Sequence, residues 1–475
     1  MAGRTRKQLG AWYTPPDLVD LVVDAVVDEE FVQRRLATAR CFRVLDPACG
    51  DGRFLRAVAE RLAEIVPTDR LELVGIDIDP DAAAITSAAL PDAEVVCGDA
   101  LDHRWCGAAF DLVIGNPPFL SQLATGTTRG GTSRHGGGPY ADAAVEFLAL
   151  SARLVDGDGG RIALVLPQSV LSTRDAGPVR AAIDHRASMR WSWWTGEQLF
   201  DAQVHTCAVA FDFHPPVEGT TDGRDEPTTW SHVIAERTGV PELPPAPVTL
   251  GTLGDRARLN ANFRDEYYGM VPAVGDHLAG PALITSGLID PGCSWWGVRP
   301  ITFARTRYDR PRLDLDRLDD KMRRWADGRL VPKVLVANQT RIIEAVCDPD
   351  GDWLPAVPVI AVYPHDRVAR STSSWDIAAV LTSPYASAWV WHRSAGTGMS
   401  ADTVRLGPVL LGDLPWPAGD LTAAVAALRA GDVRSCGRAV LEAAGIDDPW
   451  RDPLTEWWET ALARIEARQP GTVVS

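Results

Sequence analysis

The stretch Val44-Leu45-Asp46-Pro47-Ala48-Cys49-Gly50-Asp51-Gly52-Arg53-Phe54-Leu55 decides how this chain folds. Phe42 to Leu45 is a short apolar run of strand character, and Arg53 to Ile65 carries helical periodicity. Between them lies a glycine turn. Its backbone can approach a ligand closely, and the helix start offers free N–H groups to a carboxylate. Nucleotide sites of several kinds use this device, but the spacing here is neither GxGxxG nor that of a phosphate-binding P-loop.

Outward from the turn the pattern repeats. Leu71 to Ile78 reads as a second strand, Ala82 to Ala89 as a helix, Glu94 to Cys97 as a third strand and Phe110 to Gly115 as a fourth. A glycine-rich loop, 124–139, precedes a helix over Ala143 to Leu154 and strands over Arg161 to Leu166 and Cys207 to Phe213. Upstream, Asp17 to Glu30 predicts one helix, introduced by Thr14-Pro15-Pro16. Strands alternating with helices predict an α/β fold, a doubly wound, mostly parallel sheet with ligands at the strand C-termini. This catalytic domain is expected over 1–214. The segment 215–247, rich in Pro, Gly, Thr and acids, reads as a linker. Short strands such as Lys333 to Ala337 and Val357 to Val362 mark a mixed α+β domain over 248–420, and Ala-rich 421–475 reads as a helical extension.

Each early strand ends in an acid. Asp46 closes the first, and Asp77, in Gly75-Ile76-Asp77-Ile78-Asp79, closes the second, where a carboxylate can accept both hydroxyls of a ribose. Asp99 follows the third, placed to take the amino group of an adenine ring. A lone aspartate at such a place is usually a turn residue. Three in register describe an adenosine-type cofactor with an amino-acid end, S-adenosylmethionine rather than NAD. Gly50 in the first turn and Pro118 are expected on the cofactor side.

The fourth strand ends in Asn116-Pro117-Pro118-Phe119. Two prolines fix the backbone and remove two donors, leaving carbonyls as acceptors. The Asn116 amide oxygen and the Pro117 carbonyl can together receive both N–H bonds of one amino group. Phe119 offers a stacking face for a planar substrate. With an activated methyl donor, positioning supplies most of the catalysis.

The totals are compatible with this reading. A chain of 475 residues, 46% hydrophobic and 23% charged, exceeds one compact core. It has no apolar run of membrane-spanning length and no signal-peptide core, so a cytoplasmic protein without a membrane partner is expected. The cysteines show no zinc spacing, and no metal site is expected; Cys41, Cys49, Cys97 and Cys207 read as buried thiols. A net charge of −16 argues against nucleic acid, but Arg299 to Lys333 holds eleven basic residues against six acidic ones. Phosphate contacts are expected there, from Arg305, Arg307, Arg310, Arg312, Arg323 and Arg324.

These motifs together resemble the adenine-N6 DNA methyltransferases of the γ arrangement. The resemblance rests on Trp12-Tyr13-Thr14-Pro15, DPACGDGRFL from Asp46, GIDIDP from Gly75, GDAL from Gly98 and NPPF from Asn116. It extends to Gly160-Arg-Ile-Ala-Leu-Val-Leu-Pro167 and Gly196-Glu-Gln-Leu-Phe200. It implies the class I SAM-methyltransferase fold, cofactor contacts from Thr14, Asp46, Ala48, Asp77 and Asp99, and a flipped adenine held between Phe119 and Phe200. It also implies a C-terminal target-recognition domain, double-stranded DNA as partner and restriction or defence subunits as candidate associates. Two other readings compete. RNA-adenine or protein-glutamine methyltransferases share the Asn-Pro-Pro-aromatic motif, but the long C-terminal half favours DNA. A non-catalytic DNA-binding subunit would not need the complete set Asp46, Asp77, Asp99 and Asn116.

Overall fold

The computed structural model describes residues 14–119, 135–138, 141–196, 205–215, 229–245, 247–261, 264–365, 372–398, 400 and 402–468. The chain forms two compact units, Met1–Trp230 and Ser231–Ser475.

In the first unit the expected opening helix is two, α1 (Pro16–Val26) and α2 (Glu29–Thr38). Asp28 separates them because its carboxylate accepts the Phe31 N–H at 2.8 Å and caps α2. Then follow β1 (Phe42–Asp46), α3 (Arg53–Leu62), β2 (Leu71–Asp77), α4 (Pro80–Ala89), β3 (Glu94–Cys97), β4 (Leu112–Gly115) and α5 (Ala143–Leu154). The unit continues with β5 (Arg161–Pro167), α6 (Gly177–Asp184), β6 (Ala187–Trp194) and β7 (Thr206–Phe213). The sheet order is β3-β2-β1-β4-β5-β7-β6. β1 to β5 pair in parallel, whereas β7 runs antiparallel to both β5 and β6. This is the doubly wound, mostly parallel sheet expected of the class I SAM-methyltransferase fold.

Side-chain alternation sorts the sheet's two faces. Val44, Leu112 and Ile114 join Val22, Phe31, Leu55 and Leu62 of α1, α2 and α3 in one buried cluster. Leu45 and Val113, at the intervening positions, point to the other face and are fully buried. Of the four thiols expected to be buried, Cys49 and Cys207 are, but Cys41 is half-buried and Cys97 exposed. Cys97 lies on β3, an edge strand of the sheet.

In the second unit β8 (Ala257–Ala261), β9 (Lys333–Ala337), β10 (Ala345–Asp348) and β11 (Val359–Pro364) form an antiparallel sheet in the order β10-β9-β11-β8. Helices α7 (Ser374–Leu381), α8 (Pro384–Ser394), α9 (Thr422–Arg429), α10 (Val433–Ala443) and α11 (Arg451–Glu466) follow. Two boundaries differ from expectation. The described part of the supposed linker is folded: Trp230 is 2% exposed, and the helix His232–Arg237 buries Val233, Ile234 and Ala235. The supposed C-terminal extension is not separate either. α9 and α10 contact α7, α11 contacts α8, and Trp458 and Leu462 share a buried cluster with Ile342. An Ala-rich helix has a narrow apolar face, and here neighbouring helices cover it. Among the described residues no helix is long and apolar enough to cross a membrane.

Candidate functional site

The strand order β3-β2-β1-β4 sets Asp99, Asp77, Asp46 and Asn116 in a row along the C-terminal edge of the sheet. Neighbouring strands lie about 4.8 Å apart, so three spacings carry the row across about 14 Å.

At the centre, Asp46 is 1% exposed and its Oδ1 accepts the Ala48 N–H at 3.1 Å. Burial pushes its carboxyl up to about 8; the Ala48 N–H opposes that shift and the nearby Asp77 carboxylate adds to it. Gly115 on β4 faces this carboxylate so closely that a Cβ would lie 2.4 Å from Asp46 Oδ1. The turn after β1 is pinned from several sides. Cys49 N–H donates to the Ile76 carbonyl at 3.0 Å, and the Thr86 hydroxyl donates to the Gly50 carbonyl at 2.8 Å. Gly52 starts α3 with φ +80°, and no side chain caps the helix start. Its first-turn N–H groups therefore suit a ligand carboxylate.

Asp77 Oδ2 accepts the Gly50 N–H and Oδ1 the Asp79 N–H, both at 2.8 Å. Burial first, with the Asp79 charge assisting, raises its pKa, while the two N–H bonds oppose the shift. Each oxygen still has a lone pair for a hydroxyl donor. Asp99 Oδ1 accepts the Leu101 N–H at 2.9 Å. Ile78, directly after Asp77, is 52% exposed at the strand end. An isoleucine between two aspartates beyond a strand end is the signal in the sequence that points to it. Its exposed apolar surface suits a planar ring.

Asn116 lies beyond β4, with its amide oxygen buried. Its Nδ2 donates to Thr14 Oγ1 at 3.0 Å. Thr14 is 4% exposed, and its carbonyl accepts Arg53 Nη1 at 2.8 Å. Pro117 is buried, while Pro118 and Phe119 are half-buried. Phe119 also packs against the apolar cluster beneath the sheet. Phe200 falls outside the described residues. The flanks of its segment are held by buried Gln168, whose Nε2 donates to the Thr195 carbonyl at 3.0 Å and the Thr206 carbonyl at 3.2 Å. Of the glycine-rich loop, 135–138 are described, and His135 Nε2 lies 3.1 Å from the Leu101 carbonyl beside Asp99.

The arginine series of the second unit divides. Arg305, Arg307, Arg310 and Arg324 are exposed. Arg305 occupies the tip of the hairpin Ile301–Phe303/Thr306–Tyr308, with φ +66°. Arg312 is turned inward: it donates to the Gly280 carbonyl at 2.5 Å and lies 4.6 Å over the Trp296 ring. Arg323 pairs with Asp316 at 3.1 Å and Asp327 at 3.2 Å.

Known proteins resemble this chain in sequence and in fold. Residues 1–192 match the N-6 DNA Methylase family. The chain is 30% identical over 142 residues to the type II methyltransferase M.BanIII of Aneurinibacillus aneurinilyticus, covering 26% of this chain and 24% of that one. It is 40% identical over 115 residues to the type II methyltransferase M.TthHB8I of Thermus thermophilus, covering 24% and 22%. The matched stretch thus spans about a quarter of those relatives' length. Among solved structures, the type IIL restriction-modification enzyme MmeI in complex with DNA shares the fold. Its TM-score is 0.53 at 13% identity, covering 98% of this chain and 80% of that one.

Proposed function

We propose, from the N-6 DNA Methylase match of residues 1–192 and the row of strand-end residues, that this chain transfers a methyl group from S-adenosylmethionine to adenine N6 in double-stranded DNA. The observation that carries the proposal is the spatial order Asp99, Asp77, Asp46, Asn116. It supplies in sequence an acceptor for an adenine amino group, one for ribose hydroxyls, an acid near an amino-acid end, and an acceptor for a substrate amino group.

The residues present fit the cofactor. Gly115 leaves room beside Asp46 where any side chain would collide, and the uncapped start of α3 offers N–H donors. Asp77 and Asp99 would hold its adenosine, with Ile78 against the ring. Asp46, Ala48 and Gly50 would border its amino-acid end. Bound there, S-adenosylmethionine supplies an electrophilic methyl group.

The chain's own work is positioning. The Asn116 amide oxygen and the Pro117 carbonyl accept the two N–H bonds of the target amino group and turn its lone pair outward. Phe119 stacks on the base, and Phe200 takes the opposite face. An adenine in a duplex must leave the helix to reach this site, at a cost of about a few kcal/mol that stacking partly offsets. The second unit acts as the target-recognition domain, with Arg305, Arg307, Arg310 and Arg324 on phosphates. The setting would be a restriction-modification or defence system in the cytoplasm, a reading supported by the fold shared with a restriction-modification enzyme.

Expressing the chain in a host without adenine methylation and sequencing the modified bases tests this reading. Methylated adenine at one recurring site is expected, and none with Asn116→Ala. Unmodified DNA alongside labelled RNA or protein would overturn the substrate, and methylation undiminished by Asn116→Ala would overturn the mechanism.

A further inference from the structure

Thr14 is separated from Asn116 by 102 residues in sequence, yet its hydroxyl accepts the Asn116 Nδ2–H at 3.0 Å. The contact is enclosed: Thr14 is 4% exposed and the Asn116 amide oxygen is buried. Thr14 is held in turn by Arg53, the first residue of α3, whose Nη1 donates to the Thr14 carbonyl at 2.8 Å. Arg53 also pairs with Asp51 of the glycine turn at 3.0 Å. Thr14 therefore bridges the cofactor turn and the acceptor motif.

An asparagine side chain has two ends of nearly the same shape and opposite function. The oxygen accepts two hydrogen bonds, and the NH2 group can only donate. For methyl transfer to an amino group the oxygen must face the substrate, because the substrate amino group arrives as a donor. That orientation turns the amide NH2 into the protein, where a buried donor needs an acceptor. The hydroxyl of Thr14 supplies it.

We infer that Thr14 is a positioning residue that orients the Asn116 amide, giving Nδ2 a buried acceptor so that Oδ1 is the atom presented to the substrate amino group. The inference rests on the methyltransferase reading for its consequence, but the contact can be tested apart from activity. Thr14→Val keeps the shape and removes the hydroxyl; Thr14→Ser keeps the hydroxyl.

The chain contains four asparagines, so selective 15N-asparagine labelling gives few side-chain amide signals, and Asn116→Ala identifies the one required. In the full chain and in Thr14→Ser this amide should exchange slowly with solvent; in Thr14→Val its signal should shift and exchange faster. On duplex DNA at saturating cofactor, Thr14→Val should lower kcat by about 10–100-fold, the expected size for a misoriented buried group. Thr14→Ser should retain most of the rate, and the loss in Thr14→Val should persist however much cofactor is supplied.

An amide signal unmoved by Thr14→Val overturns the inference. So does a rate loss that saturating cofactor restores, because Thr14 would then serve only the cofactor. If the unaltered chain methylates no DNA while the amide signal moves as described, the methyltransferase reading fails and the orienting contact stands.

Discussion

Asp46 stands at the middle of the strand-end row with a carboxyl pushed from 3.8 up to about 8, mainly by burial. The folded chain without cofactor therefore favours the protonated form. The stability this provides is complete below pH 3.8 and is lost as pH rises through about 8. Asp46→Asn imitates the neutral form. It should melt higher than the parent at about pH 8.5, with the difference closing towards about pH 4. Equal melting at both values would contradict a buried, perturbed carboxyl. The same variant should bind the cofactor more weakly, as titration calorimetry would show, because an amide cannot give up a proton beside the cationic amino group of the cofactor as the carboxyl can. Gly115→Ala tests the other side of this contact. Its methyl would approach Asp46 Oδ1 to 2.4 Å, and overpacking of this kind costs about 1–3 kcal/mol in a denaturant melt. Most of the row was legible because each acid sits in its own contiguous strand-turn pattern. The link from Thr14 to Asn116 was not, since only folding joins residues 102 apart. Ile78 was passed over because an exposed isoleucine carries meaning only once its exposure is known.

At the scale of elements, β1, β2, β4 and β5 followed from apolar runs bounded by turns, since strands buried on both faces read as continuous hydrophobic segments. β6 did not. Its residues are all half-buried or exposed, so its sequence lacks the continuous apolar run of a central strand. The break between α1 and α2 was missed for a related reason: Val27 continues the apolar rhythm, and the capping role of Asp28 shows only in the structure. Gln168, just after β5, holds the ends of β6 and β7 through two carbonyls on either side of the segment that carries Phe200. Gln168→Ala leaves those carbonyls without this donor and should lower unfolding free energy by about 1–3 kcal/mol. If the flanks of the Phe200 segment position the base, KM for DNA should rise while cofactor Kd does not change. An unchanged denaturation midpoint would show that the two bonds are replaced by water.

At the scale of the whole molecule, the net charge of −16 conceals a local excess of arginine. The structure separates arginines bound within the second unit, Arg312 and Arg323, from exposed ones, which charge counting alone could not do. Each phosphate contact contributes about 0.9 to the slope of log affinity against log salt. Arg305→Ala with Arg307→Ala should therefore flatten that slope by up to about 2 and weaken binding across sequences. A slope unchanged from the parent would move the phosphate contacts elsewhere. The described residues of the supposed linker from Ser231 onward, and those of the supposed tail as far as Arg468, are folded parts of the second unit. Composition rich in Pro and Gly, or in Ala, does not reveal whether a neighbouring face covers the segment. The central claim is the identity of the atom that is methylated. Incubating the purified chain with duplex DNA and methyl-labelled S-adenosylmethionine, then digesting to nucleosides and resolving them by mass spectrometry, reads that atom directly. The account predicts label in N6-methyladenine, absent with Asn116→Ala; label in a methylated cytosine, or in no DNA nucleoside, would contradict it.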